Sequence, residues 1–138
     1  EAGIVSSRAA VRALIEHENA RGIPCARIFL AGFSQGGAVA YTSALTHPER
    51  LAGVIALSTY MPSAALVARE ATAANKALPV FAAHGTGDGV VSPRLGLQAR
   101  DFLMQHGYPV EWHEYPMEHA VCLEEIRAIG QWLTARLK

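Results

Sequence analysis

Cysteine is scarce in this 138-residue sequence: Cys25 and Cys122 are its only two, and they lie far apart without CxxC spacing. This count excludes a disulfide framework and a zinc motif built on paired cysteines. The six histidines form no HExxH motif and no Cys/His cluster along the sequence, so we predict that no metal ion is bound. We also predict two free thiols, which favour a reducing compartment.

An excess of charge is also absent, because twelve basic residues balance twelve acidic residues and charged residues make up only 17% of the chain. Without a basic face, nucleic acid and anionic membrane surfaces are poor partners. No apolar run in the sequence approaches the ~20 residues that a membrane span needs. With 51% apolar residues, the chain has enough to bury a core, and its length predicts a single domain over residues 1–138.

The sequence does contain a regular alternation of strand-like and helix-like segments. The strand-like segments are almost continuously apolar, which is typical of a parallel sheet with helices on both faces. The predicted fold class is therefore α/β. The predicted strands are residues 27–31, 51–57, 78–83 and 110–115. The predicted helices are residues 6–21, 35–47, 63–76, 93–105 and 121–137.

The first and last helices carry more specific predictions. Ser6 or Ser7 is expected to cap the start of the first helix. The apolar spacing of the last helix predicts that four of its side chains are buried: Leu123, Ile126, Leu133 and Leu137.

The most informative short motif is Gly-Phe-Ser-Gln-Gly, residues 32–36, which lies at a predicted strand-to-helix corner. A serine on so sharp a turn adopts strained backbone geometry, and glycines two residues away on each side let the strand and helix close on each other. The turn exposes the serine Oγ at the carboxyl edge of the sheet, where N–H groups of the following helix can hold an oxyanion. In this context the motif predicts that Ser34 is a nucleophile.

A serine nucleophile needs a base, and the base needs an orienting acid. In this fold class both follow the serine, first the acid and then the histidine. Asp88 lies in the loop directly after the third predicted strand, at the edge of the sheet where ligands bind. The competing Asp101 lies inside a predicted helix and is expected to be a solvated surface charge. Position therefore favours Asp88 as the acid.

Three histidines follow Asp88, and their positions in the predicted fold distinguish them. His119 lies in the loop between the fourth strand and the last helix. His106 ends a helix and His113 lies within a strand, so both are weaker candidates. We predict His119 as the base. The other three histidines are expected to lie in a structural turn or near exposed helix ends: His84, His17 and His47.

Four segments together are similar to those of one enzyme family: RIFLAGFSQGGAVA, LAGVIALSTYMP, HGTGDGVV and EYPMEHAVCLEEIRAIGQWL. In their order and spacing the chain resembles the carboxylesterase and acyl-protein thioesterase branch of the α/β-hydrolases, the phospholipase/carboxylesterase family. The resemblance implies the α/β-hydrolase fold, with Ser34 as nucleophile, Asp88 as acid and His119 as base. It also implies that the backbone N–H of Gln35 is one of two oxyanion donors.

The same resemblance implies an activity. Such a protein would be a serine hydrolase that cleaves carboxylic esters through an acyl-enzyme, in the cytoplasm, without a metal or cofactor. Small-molecule esters or thioesters are the implied partners, and a homodimer is expected because several family members form dimers. Acyl-protein thioesterase or lysophospholipase activity on the same triad is the alternative.

The sequence departs from the family pattern at its front. Family members carry upstream strands and a Leu-His-Gly-like loop that contributes the second oxyanion N–H, and nothing before Glu1 matches them. The resemblance therefore implies the C-terminal portion of a larger enzyme, with the N-terminal strands absent from this chain. A further alternative is an inactive fragment that needs this N-terminal part. We expect additional polypeptide or self-association at the exposed sheet edge.

Overall fold

A computed structural model describes residues 2–137, and Glu1 and Lys138 lie outside the described residues. The strands are β1 (Phe29–Phe33), β2 (Gly53–Leu57), β3 (Val80–Gly85) and β4 (Val110–Tyr115). The helices are α1 (Ala2–Ala20), α2 (Gln35–Thr46), α3 (Ala64–Glu70), α4 (Pro93–Gln105) and α5 (Leu123–Leu137), with short 3₁₀ helices at Cys25–Arg27 and Ala73–Asn75. Every predicted strand is present, and β4 has the predicted bounds.

The described residues form one four-stranded sheet in the order β1-β2-β3-β4, and each neighbouring pair of strands is parallel. Because parallel strands all run in one direction, their carboxyl ends meet at the same edge of the sheet. The turn after β1 and the loops after β3 and β4 therefore converge. Strand β1 is an outer strand: it pairs with β2 on one side, and no strand of residues 2–137 pairs with its other side.

The sheet separates two apolar cores, because successive side chains of a strand point to opposite faces. On one face Val54 and Val80 pack under helices α1 to α4. On the other face Ile55 and Phe81 pack under Trp132 of α5. Burial on both faces explains why the strand sequences are apolar runs without polar alternation. The predicted α/β architecture, with helices on both faces of a parallel sheet, is confirmed.

The prediction for the start of the first helix is wrong. Helix α1 already includes Ala2, so Ser6 and Ser7 lie inside the helix and do not cap it. No proline stands before them, and Gly3 is accommodated within α1. The stop signal is Gly22, which follows the helix and has a φ of 96°. Nothing local therefore forces a later start.

The predicted helix over residues 63–76 is divided into two pieces. Helix α3 ends at Glu70, and Ala73–Asn75 is a separate 3₁₀ turn. The turn places the buried amide of Asn75 against the α2–β2 connection, where it bonds the backbone of Leu51, His47 and Glu49. Tertiary hydrogen bonds therefore override the helical preference of this alanine-rich segment.

The predicted buried face of α5 is also wrong. Leu123, Ile126 and Leu137 are 60%, 55% and 51% exposed, and only Leu133 packs against the core. The buried positions are Glu125 and Trp132. They lie on one side of the helix together with Ala128, Ile129 and Leu133. The side of α5 that faces the sheet is therefore this one, and it contains an acidic residue.

Cys25 and Cys122 are both free thiols, as predicted. Cys25 precedes β1 and Cys122 follows β4, so they lie towards opposite edges of the sheet.

Among residues 2–137, no helix is both long and apolar enough to cross a membrane.

Candidate active site

Ser34 occupies the corner between β1 and α2 with an unusual backbone conformation. Its φ of 58° and ψ of −124° fall in a backbone region that residues other than glycine rarely adopt. The Ser34 N–H donates to the Leu57 carbonyl at 2.9 Å, and its own carbonyl accepts from Gly37 N–H at 3.0 Å and Thr59 Oγ1 at 2.5 Å. These bonds hold the strained corner in place.

Two glycines make this corner sterically feasible. A Cβ on Gly32 would collide with the backbone carbonyl of Gly36, and a Cβ on Gly37 would lie 2.6 Å from the Thr59 side chain. A Cβ on Gly36 itself would meet no atom within 4 Å. Of the two motif glycines, only Gly32 is therefore required by its own lack of a side chain, and the expectation for Gly36 is wrong. Gly37, outside the five-residue motif, is the other constrained position.

The structure brings Ser34, Asp88 and His119 together at the carboxyl edge of the sheet. His119 Nε2 lies 3.0 Å from Ser34 Oγ, and His119 Nδ1 lies 2.7 Å from Asp88 Oδ2. The loop that carries His119 can approach because a Cβ on Gly85 would strike the carbonyls of Met117 and Glu118. The resulting hydrogen-bonded chain joins residues that are 85 and 31 positions apart in the sequence.

Asp88 is 5% exposed and its two carboxylate oxygens have separate partners. Oδ1 accepts hydrogen bonds from the N–H groups of Val90 and Val91 at 2.9 and 2.8 Å, while Oδ2 faces His119. Burial is the largest single influence and would raise the pKa of Asp88. The hydrogen bonds from His119, Val91 and Val90 together outweigh it, so the pKa of this carboxyl is held below its usual value. The group is therefore an anion at neutral pH.

Two residues next to the Ser34–His119–Asp88 triad were not predicted to contact it. His84 is 1% exposed; its Nε2 lies 2.8 Å from the Val91 carbonyl and 3.4 Å from Asp88 Oδ2. It braces the loop that presents Asp88, which agrees with a structural role, but the predicted turn is wrong because His84 lies within β3. The ring of Phe33 lies 4.6 Å from the ring of His119. Closeness along the sequence could have indicated both contacts, since His84 precedes Asp88 by four residues and Phe33 adjoins Ser34.

The competing residues have other partners. Asp101 is exposed and pairs with Arg100 at 2.9 Å, as expected for a surface charge. The exposed His106 faces the Phe102 carbonyl. His113 lies 2.7 Å from Glu111 Oε2 and stacks on Phe81.

The two histidines near helix ends differ from each other. His17 is exposed, as predicted. The prediction for His47 is wrong, because this side chain is only 6% exposed and its Nε2 lies 3.7 Å from Cys25 Sγ. The fold covers the end of α2 with the segment that precedes β1, a long-range contact that local helix signals do not report.

Gln35 follows Ser34 directly and is the first residue of α2. The first N–H groups of a helix have no acceptor within the helix, and they form the positive end of its dipole. The backbone N–H of Gln35 is therefore available beside Ser34 Oγ. The side chain of Gln35 is exposed and is not needed for this.

Comparison with known proteins identifies the family of this chain. Residues 1–137 match the profile of a single family, described as phospholipase/carboxylesterase. The chain belongs to the phospholipase/carboxylesterase family. One member of this family, acyl-protein thioesterase 1 of Neurospora crassa, is 47% identical over 142 residues, which cover 99% of this chain and 57% of the relative. Carboxylesterase SOBER1 of Arabidopsis thaliana is 32% identical, covering 100% of this chain and 61% of the relative.

The fold of the family is also shared. The crystal structure of Arabidopsis thaliana SOBER1 superposes on the whole chain with a TM-score of 0.94 at 32% identity, and the match covers 66% of that structure. The architecture is thus that of the α/β-hydrolase carboxylesterases. The chain spans less than two thirds of the length of these curated phospholipase/carboxylesterase relatives.

Proposed function

We propose that the protein is a serine hydrolase that cleaves carboxylic esters or thioesters, with Ser34 as nucleophile, His119 as general base and Asp88 as orienting acid. The hydrogen-bonded chain from Ser34 Oγ through His119 to Asp88, with links of 3.0 and 2.7 Å, carries this proposal. Membership of the phospholipase/carboxylesterase family supports it.

In the first half of the proposed reaction, His119 Nε2 takes the proton of Ser34 Oγ as the oxygen attacks the acyl carbonyl. The tetrahedral intermediate collapses to the acyl-enzyme, and the alcohol or thiol leaves with the proton from His119. In the second half, water attacks the acyl group and the same proton transfers return Ser34 to its starting state. Asp88 keeps the proton of the neutral ring on Nδ1 and stabilises the imidazolium that forms.

The negative charge on the carbonyl oxygen needs preorganised donors. We assign the backbone N–H of Gln35 as one such donor, because it opens α2 directly beside Ser34. The strained corner at Ser34 serves this arrangement, since it places the nucleophile and the helix N-terminus on the same side of the acyl group.

The finer features of the function remain proposals. Ester, thioester and lysophospholipid substrates all suit this triad, and relatives are named both as acyl-protein thioesterase and as carboxylesterase. The proposed chemistry is complete without a metal or cofactor. The free thiols of Cys25 and Cys122 support the proposal of a cytoplasmic location. The homodimer is proposed from the family resemblance alone.

A fluorophosphonate probe, followed by mass spectrometry of the labelled peptide, tests the assignment of the nucleophile. We expect labelling at Ser34 and its loss in Ser34→Ala, together with loss of hydrolysis of a short-chain aryl ester. Ser58→Ala is the matched control, because Ser58 also has a positive φ of 52° and follows a strand, yet has no histidine partner. Labelling at any other residue would contradict the proposal.

A further inference from the structure

The fold assembles a second group of reactive side chains at the opposite edge of the sheet. Cys25 lies in the 3₁₀ helix before β1, while His47 and Glu49 lie in the connection from α2 to β2. All three precede the strands, whereas Ser34 follows one. A five-residue strand separates the two edges by about 17 Å, so this group lies outside the proposed catalytic centre.

The distances between the three side chains suit a tetrahedral metal ion. Cys25 Sγ lies 3.7 Å from His47 Nε2, and the sulfur, the nitrogen and a Glu49 carboxylate oxygen all lie within 4.8 Å of one another. Zinc bonds of about 2.3 Å to sulfur and 2.0–2.1 Å to nitrogen, at a tetrahedral angle, place those two atoms about 3.6 Å apart. The observed separation needs almost no rearrangement.

We propose that Cys25, His47 and Glu49 bind one zinc-class divalent ion at the amino edge of the sheet. A thiolate, an imidazole and a carboxylate form a donor set that zinc prefers over magnesium or calcium. The thiol gives its proton to solvent as the sulfur–metal bond forms. Three protein ligands leave the fourth position for water, and Cys25 and Glu49 both line a surface pocket from which water can enter.

Hydrogen bonds hold the backbone segment that carries two of the three ligands. The buried amide of Asn75 donates to the carbonyls of both His47 and Glu49, at 3.0 and 2.9 Å. The Cys25 thiol donates to Asn19 Oδ1 at 3.5 Å, a hydrogen bond that is given up when the thiol loses its proton to bind the ion.

The consequence of binding is structural and independent of the proposed hydrolase activity. The ion would join the connection between α1 and β1 to the connection between α2 and β2, two segments that also meet through the Cys25–His47 contact and through a hydrogen bond from Ala52 N–H to the Ile28 carbonyl. An ion that binds only the folded chain raises its thermal stability by mass action. The sequence alone did not single out this site, because Cys25, His47 and Glu49 match no metal-binding spacing along the chain.

Titration of the reduced protein with Cd²⁺ tests the proposal, because cadmium bound to a thiolate gives an ultraviolet charge-transfer band. We expect saturation at one Cd²⁺ per chain, displacement by Zn²⁺, and a higher melting temperature with either ion. Cys25→Ser should abolish the band, and Glu49→Gln should weaken binding by about tenfold or more. Cys122→Ser is the matched control and should bind like the wild type.

Several results would overturn the proposal. One is the absence of a charge-transfer band in the wild type, and another is a band that survives in Cys25→Ser but is lost in Cys122→Ser. If Cys25→Ser fails to fold, Glu49→Gln still decides, because Glu49 is exposed and its loss leaves the core intact. Wild-type affinity in Glu49→Gln would show that Glu49 is not a ligand and would overturn the three-ligand site.

Discussion

At the residue scale, Ser34 adopts an unfavourable backbone conformation at the position that contacts His119. Such a conformation costs about 1–3 kcal/mol and persists only where the surroundings impose it. Here the surroundings are the hydrogen bonds to Leu57, Gly37 and Thr59. The strained conformation places Oγ at the carboxyl edge of the sheet, where a substrate can reach it. The conformation lowers the stability of the fold but exposes the proposed nucleophile.

The clearance at Gly32 leads to a prediction about stability. A Cβ at this position meets the Gly36 carbonyl, whereas a Cβ on Gly36 meets open space. We expect Gly32→Ala to lower the melting temperature strongly, because two backbone segments must move apart. Gly36→Ala should leave it equal or higher, because alanine is favoured over glycine in a helix by about 1 kcal/mol. Thermal melts of both variants check this, and equal melting temperatures would contradict it.

The contacts of Asp88 lead to a prediction about catalysis. In a serine protease, replacing the acid of the triad by asparagine lowered kcat about 10⁴-fold, because the histidine then holds the wrong tautomer. We expect a loss of similar size in Asp88→Asn, with a small change in KM. Asp101→Asn is the control and should lower kcat by no more than a few fold, since Asp101 is an exposed partner of Arg100. The reverse order of effects would show that the acid is misassigned.

At the element scale, the orientation of α5 is the main departure from simple hydrophobic patterning. The helix buries Glu125, and neither carboxylate oxygen has a hydrogen bond of normal geometry within residues 2–137. Burial raises the pKa of this carboxyl, and it outweighs the opposing influence of the Cys122 backbone N–H and of His113. The Trp132 ring on the same stripe packs against Phe29 and Phe81, which fixes the rotation of the helix.

The raised pKa of Glu125 predicts a pH-dependent loss of stability. In the unfolded chain the carboxyl ionises near its ordinary pKa of about 4.3, whereas the folded protein keeps the proton to a higher pH. The contribution of Glu125 to stability is therefore complete below the unfolded pKa, and it is lost progressively as the pH rises from there through the folded-state pKa. Glu125→Gln has no charge to bury. Its free energy of unfolding should therefore rise relative to that of the wild type as the pH increases.

Urea unfolding at a series of pH values measures this difference. The neighbouring Glu124→Gln is the matched control, because Glu124 is exposed and should show no such trend. A difference between wild type and Glu125→Gln that stays constant from acidic to neutral pH would rule out the effect.

At the scale of the whole molecule, the outer strand β1 lies beside an apolar groove. The groove is lined mainly by apolar residues of α1, β1 and α2, among them Val11, Phe29, Leu30 and Val39. Leu14 on its rim is 66% exposed. Unpaired N–H and C=O groups beside apolar surface form a template for association with another chain. The curated relatives are longer than this chain, which spans 57% of one and 61% of another.

We therefore expect the 138-residue chain alone to associate with itself through the groove and the free side of β1. Light scattering over a range of concentrations should show a mass that rises above that of a monomer. Leu14→Lys should shift the chain towards the monomer, because a charge on the rim opposes edge pairing. Met104→Lys is the control, since Met104 is 58% exposed on α4 and far from β1 in the sheet order. A wild-type chain that stays monomeric at all concentrations would contradict this account.

The sequence by itself determined the features that depend on local pattern. Apolar runs separated by helical segments specify a parallel sheet, and parallel strands place all their carboxyl ends at one edge. Ser34, Asp88 and His119 each lie where a predicted strand ends, so sequence position alone placed them at that edge. The turn at Gly32 is likewise a local requirement of backbone clearance.

Only the tertiary structure decided features that depend on which surfaces meet. It turned α5 so that Glu125 is buried while Leu123 and Ile126 face outwards, because the shape of the sheet and the Trp132 ring select the stripe. It buried His47 against Cys25, which lies 22 residues earlier. Helical periodicity indicates that α5 has an apolar face, but several sides of the helix are apolar enough to pack against the sheet. The choice among them, and the meeting of Cys25, His47 and Glu49, follow from long-range packing that no local pattern encodes.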